Sequence, residues 1–205
     1  MKKPTIEKIE KALKESGMKM FTSPYSVTLG GIRTNDNKSN KFNDWLFVHY
    51  YDESGNRYYQ IEKGTTDAGL YYRLNPISIS GTAIIQHGVQ HRGCYQLQNP
   101  ELDGLRGHRG QKAFKQVNNM TYWRDANRDA YLDFGGVEQI GVFATNGHYM
   151  GSVGNDVNKW SAGCWGSTID TMNKIYRIAE VQIEHGLGDK FSFALLHEKS
   201  FSKVF

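Results

Sequence analysis

A chain of 205 residues, 39% of them hydrophobic, fits one domain and can bury a core without a cofactor or a disulfide framework. Twelve tyrosines, ten phenylalanines and 22 glycines against four prolines suit a sheet-rich domain with tight turns and argue against a helical bundle. The formal charge of +4 favours an anionic partner, but no basic block is dense enough to mark a nucleic-acid protein. No window approaches the roughly 18 consecutive apolar residues of a membrane span.

Met1-Lys2-Lys3 leads into alternating charged and apolar residues, without the apolar stretch of a secretory signal, so the chain is expected to be cytoplasmic as synthesised. Ile6, Ile9, Leu13 and Met18 recur at helical spacing among Glu7, Lys8, Glu10, Lys11, Lys14 and Glu15. That pattern predicts an amphipathic helix over 4–16, ended by Gly17. The chain then reads as an N-terminal helical segment at 1–20, packed on a single domain at 21–205.

Strands are predicted at 27–33, 45–51 and 57–61, with a polar loop over 35–43. Asp52-Glu53-Ser54-Gly55-Asn56 turns the second and third into a hairpin, whose aromatic face reads as core and cross-strand pairing rather than a binding platform. Further strands are expected at 81–85, 95–97, 113–117, 122–124, 141–144 and 191–196. Between them and the last strand, Ile169, Met172, Ile175, Tyr176, Ile178, Ala179 and Ile183 trace a second helix over 168–185, ended by Gly186 and Gly188.

Two patterns resemble metal sites. His87, His91 and Cys94 have ligand spacing only if they lie on a helix, and Gly88 and Gly93 make that segment poor helix; a strand would splay them. Asp125, Asn127, Asp129 and Asp133 match positions 1, 3, 5 and 9 of a calcium loop, but Ala130 replaces the turn glycine and Gly136 the final glutamate. No metal or organic cofactor is expected.

The chemistry concentrates at Asn146-Gly147-His148 and, sixteen residues after that histidine, Cys164 within Ser161-Ala162-Gly163-Cys164-Trp165-Gly166. A thiol with an ordinary pKa near ~8.5 needs a base or an electropositive neighbour to become a nucleophile, and His148 is the nearest candidate. Small residues around Cys164 would admit a substrate carbonyl, with the amides of Gly163 and Cys164 facing the developing oxyanion. The other reading is a buried structural thiol.

This arrangement resembles the L,D-transpeptidase (YkuD-type) signature, in which a histidine precedes serine or threonine, a variable residue, glycine and the nucleophilic cysteine. Gly81-Thr82-Ala83-Ile84-Ile85, Gly107-His108-Arg109-Gly110, Tyr122-Trp123-Arg124-Asp125 and Trp160-Ser161-Ala162-Gly163-Cys164 resemble a phage and bacterial branch of that family. The resemblance covers roughly residues 64 to 168. It implies a mainly β fold, a sandwich or open barrel, covered by the N-terminal helix and one helix in the C-terminal half.

It also implies an enzyme acting on peptidoglycan stem peptides through a thioacyl intermediate, as a transpeptidase, carboxypeptidase or endopeptidase, reaching the wall after release or delivery. Cys164 would be the nucleophile, His148 the base, Gly163 part of the oxyanion site, and Ser161 would orient the loop or the histidine. The arginine or asparagine that the resemblance leads one to expect shortly after the cysteine is absent, since Trp165, Gly166 and Ser167 follow, and Tyr149 stands where a basic residue is expected beside the histidine. Arg109 is the candidate to hold a substrate carboxylate in its place, with His108, Trp165 and Tyr149 completing the substrate-binding set. A non-catalytic virion or cell-wall binding module on the same fold is the alternative.

Overall fold

The structure, a computed structural model, describes residues 1–151 and 156–202. Helix α1 spans Ile6–Glu15 and starts where the Thr5 hydroxyl accepts the Lys8 N–H at 3.4 Å. It ends where Gly17, at φ +68°, lets the Gly17 and Met18 amides reach back to the carbonyls of Lys14 and Leu13.

Strands β1 (Thr28–Arg33), β2 (Asp44–Tyr51) and β3 (Arg57–Gly64) follow, then the short helix α2 (Leu70–Leu74) and strand β4 (Thr82–Ile85). The middle of the chain supplies β5 (Val89–Gln98), β6 (Ala113–Gln116), β7 (Met120–Asp125), β8 (Val137–Gly141) and β9 (Gly147–Tyr149). A 3-10 turn at Asn158–Trp160 precedes β10 (Trp165–Ser167), α3 (Ile169–Glu184), β11 (Lys190–His197) and α4 (Glu198–Ser202). The fold is mainly β, as the composition and strand pattern suggested.

Eight strands form one curved sheet in the order β10-β9-β6-β5-β11-β1-β2-β3. Its two ends nearly meet, because Thr65, just past β3, exchanges both backbone hydrogen bonds with Gly166 of β10 at 2.9 Å each. Side chains alternate across the sheet. Leu29, Leu46, Val48, Phe193 and Leu195 turn inward onto Met172, Ile175, Tyr176 and Ala179 of α3, whereas Ile32, Trp45, Phe47, Ala194 and Leu196 turn outward onto Ile6, Ile9 and Leu13 of α1. Each helix thus covers one face. The second sheet, β4-β7-β8, adds Ala83, Ile85, Met120 and Tyr122 to the inner core.

One expected strand is displaced. Residues 141–144 form no strand beyond Gly141, and the chain from there to Asn146 is a loop held by the buried Gln116. The Gln116 Oε1 accepts the N–H groups of Phe143 and Thr145, both at 3.1 Å, and its Nε2 donates to the carbonyls of Asn118 and Gly141. A side-chain amide here does what a neighbouring strand would otherwise do.

Candidate active site

Cys164 sits just before β10, and His148 lies on the adjacent parallel strand β9, where Gly147 pairs with Trp165 and His148 with Gly166. Gly147 is required there because a β-carbon would enter the Trp165 ring. Trp165 is itself fully buried between Phe114 and Phe193 in the inner core, so it takes no part in a substrate surface. The alternation of strand side chains explains this correction: its neighbour Cys164 is at the cleft, and Trp165 is turned the other way.

Ser161 shapes the cysteine loop. Its buried hydroxyl donates to the Cys164 carbonyl at 2.8 Å and accepts the Gly163 N–H at 3.1 Å. It therefore orients the loop and not the histidine. Gly163 adopts φ +131°, and a β-carbon there would lie 2.8 Å from the Ala83 carbonyl oxygen. Its amide, expected at the oxyanion, is already taken by Ser161; among the described residues it is the Cys164 N–H that has no partner.

The Cys164 thiol faces the Ala144 carbonyl at 3.6 Å, and burial pushes its pKa up to about 11, against smaller opposing effects from the Asn146 backbone and the cations Lys115 and Arg109. At neutral pH it is protonated. Ala144 holds its carbonyl there in a left-handed conformation, φ +57°, which is uncommon for a residue other than glycine.

His148 Nδ1 lies 2.7 Å from the Tyr149 carbonyl oxygen, which can only accept, so Nδ1 carries the ring proton and Nε2 is a bare acceptor. That Nε2 is buried without a partner. Burial, with the neighbouring His108, lowers the His148 pKa to about 4.

The His108 ring stacks on His148 with centroids 3.9 Å apart and planes 10° apart. Its tautomer is fixed in the opposite sense. Asn146 Oδ1 accepts the Gln116 N–H at 2.9 Å, so the Asn146 amide nitrogen faces His108 Nδ1 at 3.0 Å and donates to it, leaving the His108 proton on Nε2. One ring of the pair presents a lone pair and the other an N–H. No hydrogen bond joins His148 to Cys164 among the described residues.

A cleft of about 370 Å³ opens over the thiol, lined among others by Thr82, Ala83, Thr145, Ala162 and Cys164. His108 and Arg109 both line it, carried by a tight turn in which His108 and Gln111 exchange backbone hydrogen bonds and Arg109 takes φ +53°. Tyr149 does not line the cleft; its hydroxyl accepts from Gln111 and faces a second cavity with Ile169 and Tyr176, so only its carbonyl serves the site. His148, Ser161 and Gly163 stand behind the wall and not on it.

Sequence reasoning passed over Arg124 and Lys159, which also line the cleft, and Gln116, which holds its floor. Within Tyr122-Trp123-Arg124-Asp125, the two-residue period of a strand puts Arg124 and Asp125 on opposite faces, and that is the signal that sets Arg124 apart.

The two metal-like patterns resolve into protein contacts. His91 meets the Gln86 carbonyl and the Thr121 N–H, Cys94 faces the Phe191 carbonyl, and His87 packs against Trp123, Phe134 and His197. Arg73, fully buried, fills the acidic loop: it lies 2.6 Å from Asp125, 3.3 Å from Asn127 and 3.7 Å from Asp129. Among the described residues no three histidine, cysteine or acidic side chains converge as a metal-binding group.

No helix of the described residues is long and apolar enough to cross a membrane. No family model, curated protein or solved structure matches this chain, so the case for what it does rests on the chemistry of this site.

Proposed function

We propose that the chain is a cysteine-dependent acyl-transfer enzyme acting on peptide carbonyls, and that its substrates are peptidoglycan stem peptides, as the resemblance to L,D-transpeptidases implies. The observation that carries this reading is the tautomer-fixed His148, whose bare Nε2 is buried one strand from a cleft-facing cysteine with a free backbone N–H. In this mechanism substrate binding draws the thiol from Ala144 to His148 Nε2, which takes its proton.

The sulfur then attacks the carbonyl carbon, and the oxyanion is held by the Cys164 N–H and by the His108 Nε2–H. Collapse breaks the amide C–N bond; His148 returns its proton to the departing amine, and a thioester remains on Cys164. Water or a second amine attacks that thioester and restores the thiol, giving hydrolysis or a cross-link. Arg109 and Lys115 favour the thiolate by charge. Access to the wall in this reading follows release or delivery of the chain, at lysis or in a phage virion.

A second reading, a non-catalytic binding module, is favoured by one observation: the resting thiol is protonated and bonded to Ala144 rather than to His148. Incubation with purified muropeptides and mass spectrometry separates the two. Turnover by the wild type that is lost in Cys164→Ala and His148→Ala supports the enzyme. Retained turnover in Cys164→Ala removes the thiol mechanism, and binding without turnover in every variant supports the module.

A further inference from the structure

The cleft is electrostatically unbalanced. Arg109, Arg124 and Lys159 line it, no aspartate or glutamate does, and none of the three forms an ion pair among the described residues. Arg109 and Lys159 are exposed, where water screens them. Arg124 is half-buried, and its position is built. Its Nε donates to Gln139 Oε1 at 2.7 Å, one terminal nitrogen donates to the Gly81 carbonyl at 3.2 Å, and the guanidinium lies 4.4 Å from the Phe143 ring.

All three contacts are neutral. Two of the five guanidinium N–H groups are accounted for by those bonds, so the group lining the cleft has donors to spare and, among the described residues, a charge that no carboxylate pairs with. Burial also disfavours that charge. In the second sheet Arg124 is paired with Ala83, whose carbonyl lies against Gly163, so Arg124 and the cysteine loop flank the same strand, β4.

We propose that Arg124 is the anion-binding residue of the cleft, and that it receives a carboxylate of the bound ligand through paired N–H donors. An oriented guanidinium suits that planar group better than a flexible ammonium does. Arg109 and Lys159, at the exposed rim, draw the anion in. The exposed Ile77, Phe143 and Trp160 alongside fit the apolar parts of the same ligand. That the ligand is a peptide donor for Cys164 rests on the function proposed above; the anion site does not require turnover.

The test is a titration followed by nuclear magnetic resonance, reading the Arg124 Nε–H signal and the Gly81 and Phe143 amides at constant ionic strength. The probes are N-acetyl-D-glutamate, its α-amide, its γ-amide and the diamide. The expected result is a saturable shift with the free acid, retained by one mono-amide, weakened at least tenfold for the other and lost for the diamide. The mono-amide that fails identifies which carboxylate is held.

In Arg124→Gln the preference for the acid should disappear, and in Arg124→Lys it should persist in weaker form. A diamide that shifts the signals as the acid does, no saturable response to the acid, or a full acid preference in Arg124→Gln would each overturn the proposal. Should Arg124→Gln fail to fold, the wild-type series with the diamide still decides. Absence of muropeptide turnover, by contrast, would strike only the proposed function.

Discussion

The acidic loop at 125–133 and the basic cleft are built on consecutive residues of one strand, and they treat charge in opposite ways. Asp125 turns into the fold, where Arg73 meets it at 2.6 Å and reaches Asn127 and Asp129 as well. Arg124, one residue earlier, turns to the cleft and finds only an amide oxygen, a carbonyl and an aromatic ring. A cation and its acids that balance inside the fold are structural. A cation left without an acid at the wall of a cleft keeps its charge for solvent or for a ligand, and in the proposed anion site Arg124 takes the second role.

Acid should act on both sides of the molecule through its buried neutral histidines. His148 behind the cleft wall and His108 on it have pKa values of about 4, lowered chiefly by burial, and His49 and His91 are buried elsewhere with similar values. Below the unfolded value near 6.5 the unfolded chain binds these protons while the folded chain refuses them, so stability is complete above that pH and is lost as pH falls towards 4. Each of the fully buried His49, His91 and His148 removes roughly 3 kcal/mol by pH 4, together comparable with the whole stability of a domain, roughly 5–15 kcal/mol. Asp67 acts in the opposite sense, since burial raises its carboxyl, and offsets only part of this. Denaturant titrations across pH 7.5 to 4 should show a steep loss beginning near pH 6; constant stability down to pH 4.5 would contradict the buried neutral histidines.

The same substitution at the two arginines should separate them. Arg73→Met strands Asp125, whose side chain is 1% exposed, and should cost about 3–5 kcal/mol in urea unfolding. Arg124→Met orphans no carboxylate and should cost less than about 1 kcal/mol while removing the acid preference of the cleft. Similar losses at both positions would mean that Arg124 is also structural. Adding Asp125→Leu to Arg73→Met should recover much of the loss, because the stranded charge goes with it.

A carboxylate placed in the cleft tests the contrast from the other side. Ser78 lines the cleft, and Ser78→Asp supplies the acid that the wall lacks. It should change stability by no more than about 1 kcal/mol and weaken binding of N-acetyl-D-glutamate several-fold. Unchanged affinity would show that the cations there do not act together.

The pattern of what was legible in the sequence follows the range of each interaction. Strand β2 and helix α3 could be read from local periodicity, and so could the stop at Gly17, because spacing and one turn residue decide them. The short strands β9 and β10, which set His148 beside the cysteine loop, carry too few residues for a periodicity of their own, so their placement depends on pairing and not on local pattern.

What sequence reading missed depends on partners far along the chain. Arg73 enters the acidic loop from more than fifty residues away, and Gln116 holds a loop that hydrophobic residues made look like a strand. Trp165 is buried because Phe114 and Phe193, far from it in the sequence, close around its ring.

The smallest effect expected concerns the carbonyl that holds the thiol. Ala144 sits at φ +57° in the loop that Gln116 pins, with its carbonyl oxygen 3.6 Å from the Cys164 sulfur and 3.0 Å from the Asn146 nitrogen. A left-handed conformation disfavours alanine by about 1 kcal/mol relative to glycine, whereas glycine also gains freedom in the unfolded chain. The two effects oppose each other, so Ala144→Gly should alter stability by less than about 1 kcal/mol. The thiol is the sharper readout: a loop freed to relax would release Cys164 from that carbonyl, and alkylation of Cys164 should quicken relative to Cys94, which remains buried in the inner core. Slower or unchanged labelling would mean that the thiol is held by burial alone, and that the strained carbonyl opposite it has no part in keeping it protonated.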